Sequence, residues 1–82
     1  MNLHDQIRSH VVDSIITPAR AAGLRTVTVK SRAVHKSLGL VNRMPAVCSA
    51  IDAAKFADQA AVTLIDRTGP HQGATVQWTF RL

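Results

Sequence analysis

The chain has few or none of the residues on which many small-protein classes depend. Its single cysteine, Cys48, excludes an internal disulfide and every zinc motif that needs several cysteines. It contains no glutamate and no tyrosine, and its aromatic rings are limited to two phenylalanines and one tryptophan. No apolar run approaches the roughly 20 residues of a membrane span, and the polar start MNLHDQIRSH is unlike a signal peptide. We therefore expect a cytoplasmic protein that does not engage a membrane.

Length and charge narrow the class further. The chain has 82 residues, 46% of them hydrophobic, which predicts one folded domain over residues 1–82. Ten lysines and arginines against five aspartates give a formal net charge of +5. A small basic domain attracts polyanions such as nucleic acid, although the same charge also keeps an ordinary domain in solution.

The residue patterns typical of enzymes are missing. His4 and His10 are six residues apart, so a helix would place them on nearly opposite faces, and His35 and His71 are isolated. There are no paired carboxylates, no nucleophile elbow and no phosphate-binding glycine loop. Cys48 is expected to be a small buried hydrophobe. We expect no catalysis, no cofactor and no metal ion.

Residues 3–22 have the apolar periodicity of a helix. Pro18 should kink or interrupt this helix, because proline lacks a backbone N–H and its ring crowds the preceding turn. The apolar arc is wider than one core contact needs. Its edge, formed by Val12 and Ile16, is therefore expected to face another protein.

Residues 26–52 are the most informative part of the chain. In TVTVK, valine alternates with polar residues, which predicts a short strand. Ser31 follows where a helix N-cap is wanted, and the helix RAVHKSLG should begin there with Ala33 facing the core. Gly39 and the leucine after it are typical of a left-handed helix stop with its hydrophobic contact.

A second helix, RMPAVCSAIDA, is predicted directly after this stop. Asn42 is its expected N-cap, and Pro45 falls within the first turn, where a missing N–H costs little. Two short helices joined by a glycine-containing turn form the core of a helix-turn-helix, which places one helix in the major groove of DNA. DNA binding is therefore the first hypothesis.

The end of the chain predicts a β-hairpin. Residues 55–61 fit either a frayed helix end or a loop, with Phe56 in the core. After them, VTLIDR and ATVQWTFRL are strand-like, and TGPHQG between them is dense in turn residues. Val76, Trp78 and Phe80 alternate with polar residues, so these rings are expected in the core rather than on a surface that stacks bases.

The order helix, strand, helix, helix, strand, hairpin tip, strand resembles the winged helix-turn-helix family of DNA-binding domains, and the resemblance covers the whole chain. It implies an α+β fold with three helices, a small strand and a C-terminal two-stranded wing. RAVHKSLG would be the positioning helix, RMPAVCSAIDA the recognition helix and VTLIDRTGPHQGATVQWTFRL the wing. The sequence departs from the repressor-type pattern at His35, where a small residue is often found four positions before the turn glycine.

The resemblance implies three sets of DNA-contacting residues. The candidates for base contacts on the recognition helix are Asn42, Arg43, Ala46 and Ser49. The candidates for phosphate contacts surround the start of the positioning helix and are Lys30, Ser31, Arg32 and Lys36. The wing candidates ring the hairpin tip and are Arg67, Thr68, His71 and Gln72. Each set also has a plainer interpretation. Asn42 could serve only as a helix cap, the phosphate candidates could form a solvated polar face, and the wing candidates could form an ordinary polar turn.

Three functions remain open at this point. The first is sequence-preferring binding of double-stranded DNA, by a transcriptional regulator or a DNA-targeting module of a defence system, with a homodimer on a palindromic site as the expected assembly. The second is a protein-interaction module, favoured by the scarcity of basic side chains in RMPAVCSAIDA. The third is RNA binding. Asp52 would repel a phosphate, so it should face away from a DNA backbone or pair with Lys55.

Overall fold

The computed structural model describes residues 2–82 and has the α+β architecture that the two periodicities predict. The helical segments are α1 (Leu3–Val11), a π-helical segment (Val12–Ile16), α2 (Thr17–Ala21), α3 (Ser31–Ser37), α4 (Met44–Asp52) and α5 (Ala54–Ala60). The strands are β1 (Thr26–Lys30), β2 (Thr63–Thr68) and β3 (Gln77–Arg81). Within residues 2–82, none of the helices combines the length and apolarity needed to cross a membrane.

Pro18 changes the winding of the first helix without breaking it. Both residues that flank the π-helical segment keep right-handed helical backbone angles, so α1, this segment and α2 are continuous. Pro18 has no N–H for the carbonyl of Ser14, and its ring crowds that carbonyl. One wide turn accommodates the ring. The Ser14 hydroxyl donates to the His10 carbonyl (2.5 Å), which supports the distorted turn.

The wide turn decides which side chains of the first helix reach the core. Ile7 and Val11 are four residues apart, as on an α-helix, whereas Val11 and Ile16 are five apart, as on a π-helix. All three are fully buried. The prediction that Ile16 forms an exposed edge for a partner is therefore wrong, and Val12 is half-buried against the same core.

The strands form one antiparallel sheet in the order β1-β3-β2. Trp78 lies opposite Val29 on the face that the helices cover, and both side chains have no exposed area. Phe80 occupies the same face and is also buried. On the opposite face, the hydroxyls of Thr28 and Thr79 are 3.2 Å apart. The alternation predicted for the hairpin is thus confirmed.

The two predicted N-caps are each displaced by one residue. Lys30 is the N-cap of α3, and Ser31 is the first residue of that helix. Arg43 is the N-cap of α4, while Asn42 stands before it with a left-handed backbone (φ of 54°), which asparagine tolerates. Gly39, with a φ of 65°, provides the predicted left-handed stop after α3.

Residues 55–61 mostly belong to a helix that the sequence left undecided. Phe56 on α5 is fully buried, as predicted, and its ring centroid lies 5.3 Å from that of Phe80. Lys55 extends from the same helix to Asp5, with 3.7 Å between the ammonium nitrogen and a carboxylate oxygen. The predicted pairing of Lys55 with Asp52 is therefore not formed.

Candidate nucleic-acid interface

The basic side chains divide into those that the fold uses and those that it leaves free. The guanidinium groups of Arg8 and Arg20 donate to backbone carbonyls of distant helical segments, and that of Arg67 donates to carbonyls of the adjoining hairpin loop. In contrast, the side chains of Lys30, Arg32 and Lys36 are exposed and make no hydrogen bond or ion pair with any part of residues 2–82. These three are the basic residues predicted to contact phosphate; Arg25 and Arg81 are also exposed and have no side-chain partner in the described part of the chain.

These three cations line one groove of about 420 Å³. The groove lies between α3 and the segment that leads into β3, and residues 74–77 form its other wall. Ala33 also lines it and is exposed, which corrects the prediction that Ala33 faces the core. No aspartate lines the groove, and none occurs between Asp13 and Asp52 in the chain. The positive potential of this groove is therefore not neutralised by a neighbouring acid.

Ser31, the fourth predicted phosphate ligand, faces inward. Its side chain is fully buried, and its hydroxyl donates to the Gly73 carbonyl at 2.7 Å. Its backbone N–H donates to the Val76 carbonyl at 3.0 Å. The predicted phosphate contact of Ser31 is therefore wrong. Ser31 instead fastens the hairpin loop to the start of α3.

Arg67 has a similar internal role, which corrects its predicted contact with DNA. Its Nε and Nη2 groups donate to the two carboxylate oxygens of Asp52 at 2.7 and 3.0 Å. Two further donations, to the carbonyls of Pro70 (3.1 Å) and His71 (2.8 Å), hold the hairpin loop. The guanidinium carbon also lies 5.8 Å from the centre of the Trp78 ring, within the range of a cation–π contact.

Asp52 is the centre of this network. It is the last residue of α4, where the helix dipole disfavours a negative charge. Partial burial also opposes its ionisation, but hydrogen bonds from Arg67 and from the Trp78 Nε1 group (2.7 Å), together with the charge of Arg67, hold the pKa of Asp52 below its ordinary value. The hydrogen bond between Arg67 and Asp52 also raises the pKa of Arg67. Asp52 is therefore an anion at neutral pH, and Arg67 matches its charge.

Most of α4 faces the core, so its outer surface is narrow. The buried side chains are Val47, Cys48, Ala50 and Ile51. Of the predicted base-contacting residues, Asn42, Arg43 and Ser49 are exposed and Ala46 is half-buried. The Arg43 side chain donates only to the neighbouring Asn42 carbonyl (3.3 Å).

His35 joins the two helices of the motif, a role that sequence reasoning missed. Its Nε2 atom accepts a hydrogen bond from the Arg43 backbone N–H at 3.2 Å. The ring thereby satisfies one of the N–H groups left unpaired at the start of α4. The departure from the repressor-type pattern at this position was the available signal, because only a long polar side chain reaches across the turn.

A second groove, of about 330 Å³, brings together two sets of residues that were predicted separately. Ser49 and Asp52 of α4 form one side with the residue that follows the helix, and His71 and Gln72 of the hairpin loop form the other. Thr68 is exposed at the end of β2, opposite Gln77 of β3, and does not line this groove.

The protein thus has a cationic groove beside α3 and a polar groove beside α4. In the part of the chain that the structure describes, no three His, Cys, Asp or Glu side chains are grouped so as to hold a metal ion. Comparisons of the chain with models of protein families, with curated proteins and with solved structures found no match.

Proposed function

We propose that this chain is a winged helix domain that binds double-stranded DNA. Its connectivity supports this assignment, because β1 precedes the α3–α4 pair and a β2–β3 hairpin follows in a sheet of order β1-β3-β2. The observation that carries the proposal is the groove lined by Lys30, Arg32 and Lys36. These cations have no internal partner and no neighbouring acid, as a surface that neutralises phosphates requires.

The mechanism is recognition without chemistry. Contacts from Lys30, Arg32 and Lys36 to backbone phosphates set the position of the domain on the duplex. The exposed N-terminal end of α4 then approaches base edges, where the Arg43 guanidinium can pair with the O6 and N7 atoms of guanine. Asp52, at the other end of α4, does not oppose the approach of DNA because Arg67 balances its charge.

A protein partner is the second candidate, and one observation favours it. Val41, in the turn before α4, is 74% exposed, and Pro45 and Ser49 of α4 present small exposed side chains. A small, partly apolar surface of this kind also suits contact with another protein. Under this alternative, the cations of the first groove would not contribute to partner binding unless the partner is acidic.

The test is fluorescence anisotropy with a pool of labelled duplexes, titrated from roughly 50 to 200 mM salt. Each phosphate contact should contribute about −0.9 to the slope of log affinity against log salt. Arg32→Gln and Lys36→Gln should each make this slope about one unit less steep and weaken binding to all sequences similarly. Arg81→Gln is the matched control, because Arg81 is exposed at the opposite end of β3.

Two results would refute the proposal. One is no duplex binding by the unmodified protein at the lowest salt, and the other is equal weakening by the Arg81 control and the two groove variants. Stronger competition by single-stranded RNA than by duplex DNA would favour RNA binding instead. Retained binding of a protein partner by both groove variants would support the second candidate.

A further inference from the structure

We propose that the hairpin loop reads a base pair in addition to the one that Arg43 contacts, and that Gln72, beside Ser49 in the polar groove, contacts an adenine. This inference rests on the proposed binding of duplex DNA and assigns a second source of its sequence preference, besides Arg43. It differs from the usual expectation for a helix-turn-helix, in which side chains of the second helix read most of the bases.

The outer surface of α4 has too few hydrogen-bonding groups to distinguish base pairs. Between Met44 and Asp52, the side chains with polar groups outside the core are Ser49 and Asp52. The Asp52 carboxylate accepts three hydrogen bonds from Arg67 and Trp78. A serine hydroxyl both donates and accepts, so Ser49 alone contacts several bases equally well. Beyond the Arg43 contact at the N-terminal end of the helix, discrimination between base pairs therefore requires a group from another element.

Gln72 is the group that the fold brings to this position. It lines the same groove as Ser49 from the opposite side, it is exposed, and its amide has no hydrogen-bonding partner within residues 2–82. An amide carries a donor and an acceptor side by side, which matches the N7 acceptor and N6 donor that adenine presents in the major groove.

The loop holds Gln72 in place before any ligand binds. The backbone carbonyl of the preceding residue, His71, accepts a hydrogen bond from the Arg67 Nη2 group at 2.8 Å. The carbonyl of the residue after it, Gly73, accepts from the buried Ser31 hydroxyl at 2.7 Å and lies 3.7 Å from the Cys48 sulfur. Because both neighbours are fastened, little loop ordering has to accompany binding, which favours specificity.

The charges of the two grooves support a division of roles. The groove beside α3 is lined by three cations and suits phosphate. In the groove beside α4, the Asp52 carboxylate is matched by Arg67, so the groove carries little net charge at neutral pH. Such a surface offers hydrogen bonds without strong attraction to phosphate, as contact with a base edge requires.

The experiment begins with selection of preferred sites from a random duplex library by the unmodified protein. We expect a preferred adenine whose replacement by 7-deazaadenine, which lacks the N7 acceptor, weakens binding roughly 5- to 100-fold. In Gln72→Ala this penalty should fall to about twofold or less, with the salt slope unchanged. Gln59→Ala, at an exposed position on α5, is the matched control and should keep the full penalty.

A second variant tests the chemistry by a gain rather than a loss. Gln72→Glu replaces the amide with a group that only accepts hydrogen bonds, so the preference at that position should move from adenine to cytosine, whose N4 group donates. The exposed position means that neither substitution should disturb folding, which circular dichroism checks.

The outcomes separate the inference from the proposal on which it rests. If the unmodified protein binds no duplex, the proposed function fails and this inference fails with it. If the protein binds duplex DNA but Gln72→Ala keeps the same base preference, only this inference is refuted. Uniform weakening across all sequences with a shallower salt slope would also refute it, because that pattern identifies Gln72 as a phosphate contact.

Discussion

Substitution of Gly69 by alanine should destabilise this fold far more than the same change at Gly39. Both glycines have a left-handed backbone, with φ of 97° and 65°. A methyl group added at Gly39 meets no atom within 4 Å. At Gly69 it would stand 2.8 Å from the Thr75 carbonyl oxygen and 2.9 Å from the Val76 Cα atom, both of which belong to the backbone.

The magnitudes follow from these surroundings. Alanine in a left-handed conformation costs about 1–2 kcal/mol, which is the whole effect expected at Gly39. At Gly69 the backbone contact adds about 1–3 kcal/mol, the usual cost of overpacking, because a main-chain neighbour cannot rotate away as a side chain can. The base of the hairpin loop must therefore open to accommodate Gly69→Ala.

Urea denaturation of the two variants, followed by circular dichroism, measures the difference. In a chain of this length, each kcal/mol should also lower the melting temperature by roughly 4–8 °C. We expect Gly69→Ala to melt well below Gly39→Ala. Equal stability of the two variants would refute the close approach of Gly69 to the backbone of Thr75 and Val76, which leads into β3.

Three further substitutions test the packing and the ion-pair network. Ile16→Ala should lower the free energy of unfolding by about 2–5 kcal/mol, because Ile16 is fully buried. Ile65→Ala, at an exposed position of β2, should lower it by about 0.5 kcal/mol or less. Similar losses for the two variants in urea denaturation would contradict the π-helical register. Asp52→Asn should lower the free energy of unfolding by about 1–3 kcal/mol near pH 6. Because the pKa of Asp52 is depressed in the fold, the contribution of its carboxylate to stability is complete above the unfolded-state pKa of about 3.9 and is lost as pH falls through the folded-state pKa. The free energies of unfolding of the unmodified protein and Asp52→Asn should therefore converge in acid. A difference that stays constant with pH would argue against the ion pair. Ser31→Ala leaves the Gly73 carbonyl without its hydroxyl donor and should cost about 1–3 kcal/mol in the same denaturation assay, whereas no loss would contradict the anchoring of the loop.

Local patterns in the sequence determined the type of most elements. The alternation in TVTVK predicted β1, and the alternation around Trp78 and Phe80 predicted β3 and its buried face. Gly39 predicted the end of α3, because a left-handed backbone is a property of the residue itself. These features depend on neighbours within one turn or one strand, so they are visible without the fold.

Tertiary structure alone decided what several polar side chains do. Ser31 and Gly73 are 42 positions apart, and Arg67 and Asp52 are 15 apart, so no local pattern indicates that they meet. The sequence therefore predicted Ser31 and Arg67 as DNA contacts, whereas the sheet brings the hairpin loop onto α3 and α4 and both residues serve to hold it there. The burial of Ile16 likewise depends on the extra residue in the turn before Pro18, because that residue rotates every later side chain about the helix axis. Periodicity determines which residues share a face of an ideal helix or strand. Long-range contacts determine which of those faces stays exposed, and which polar side chains are left without an internal partner and can contact another molecule.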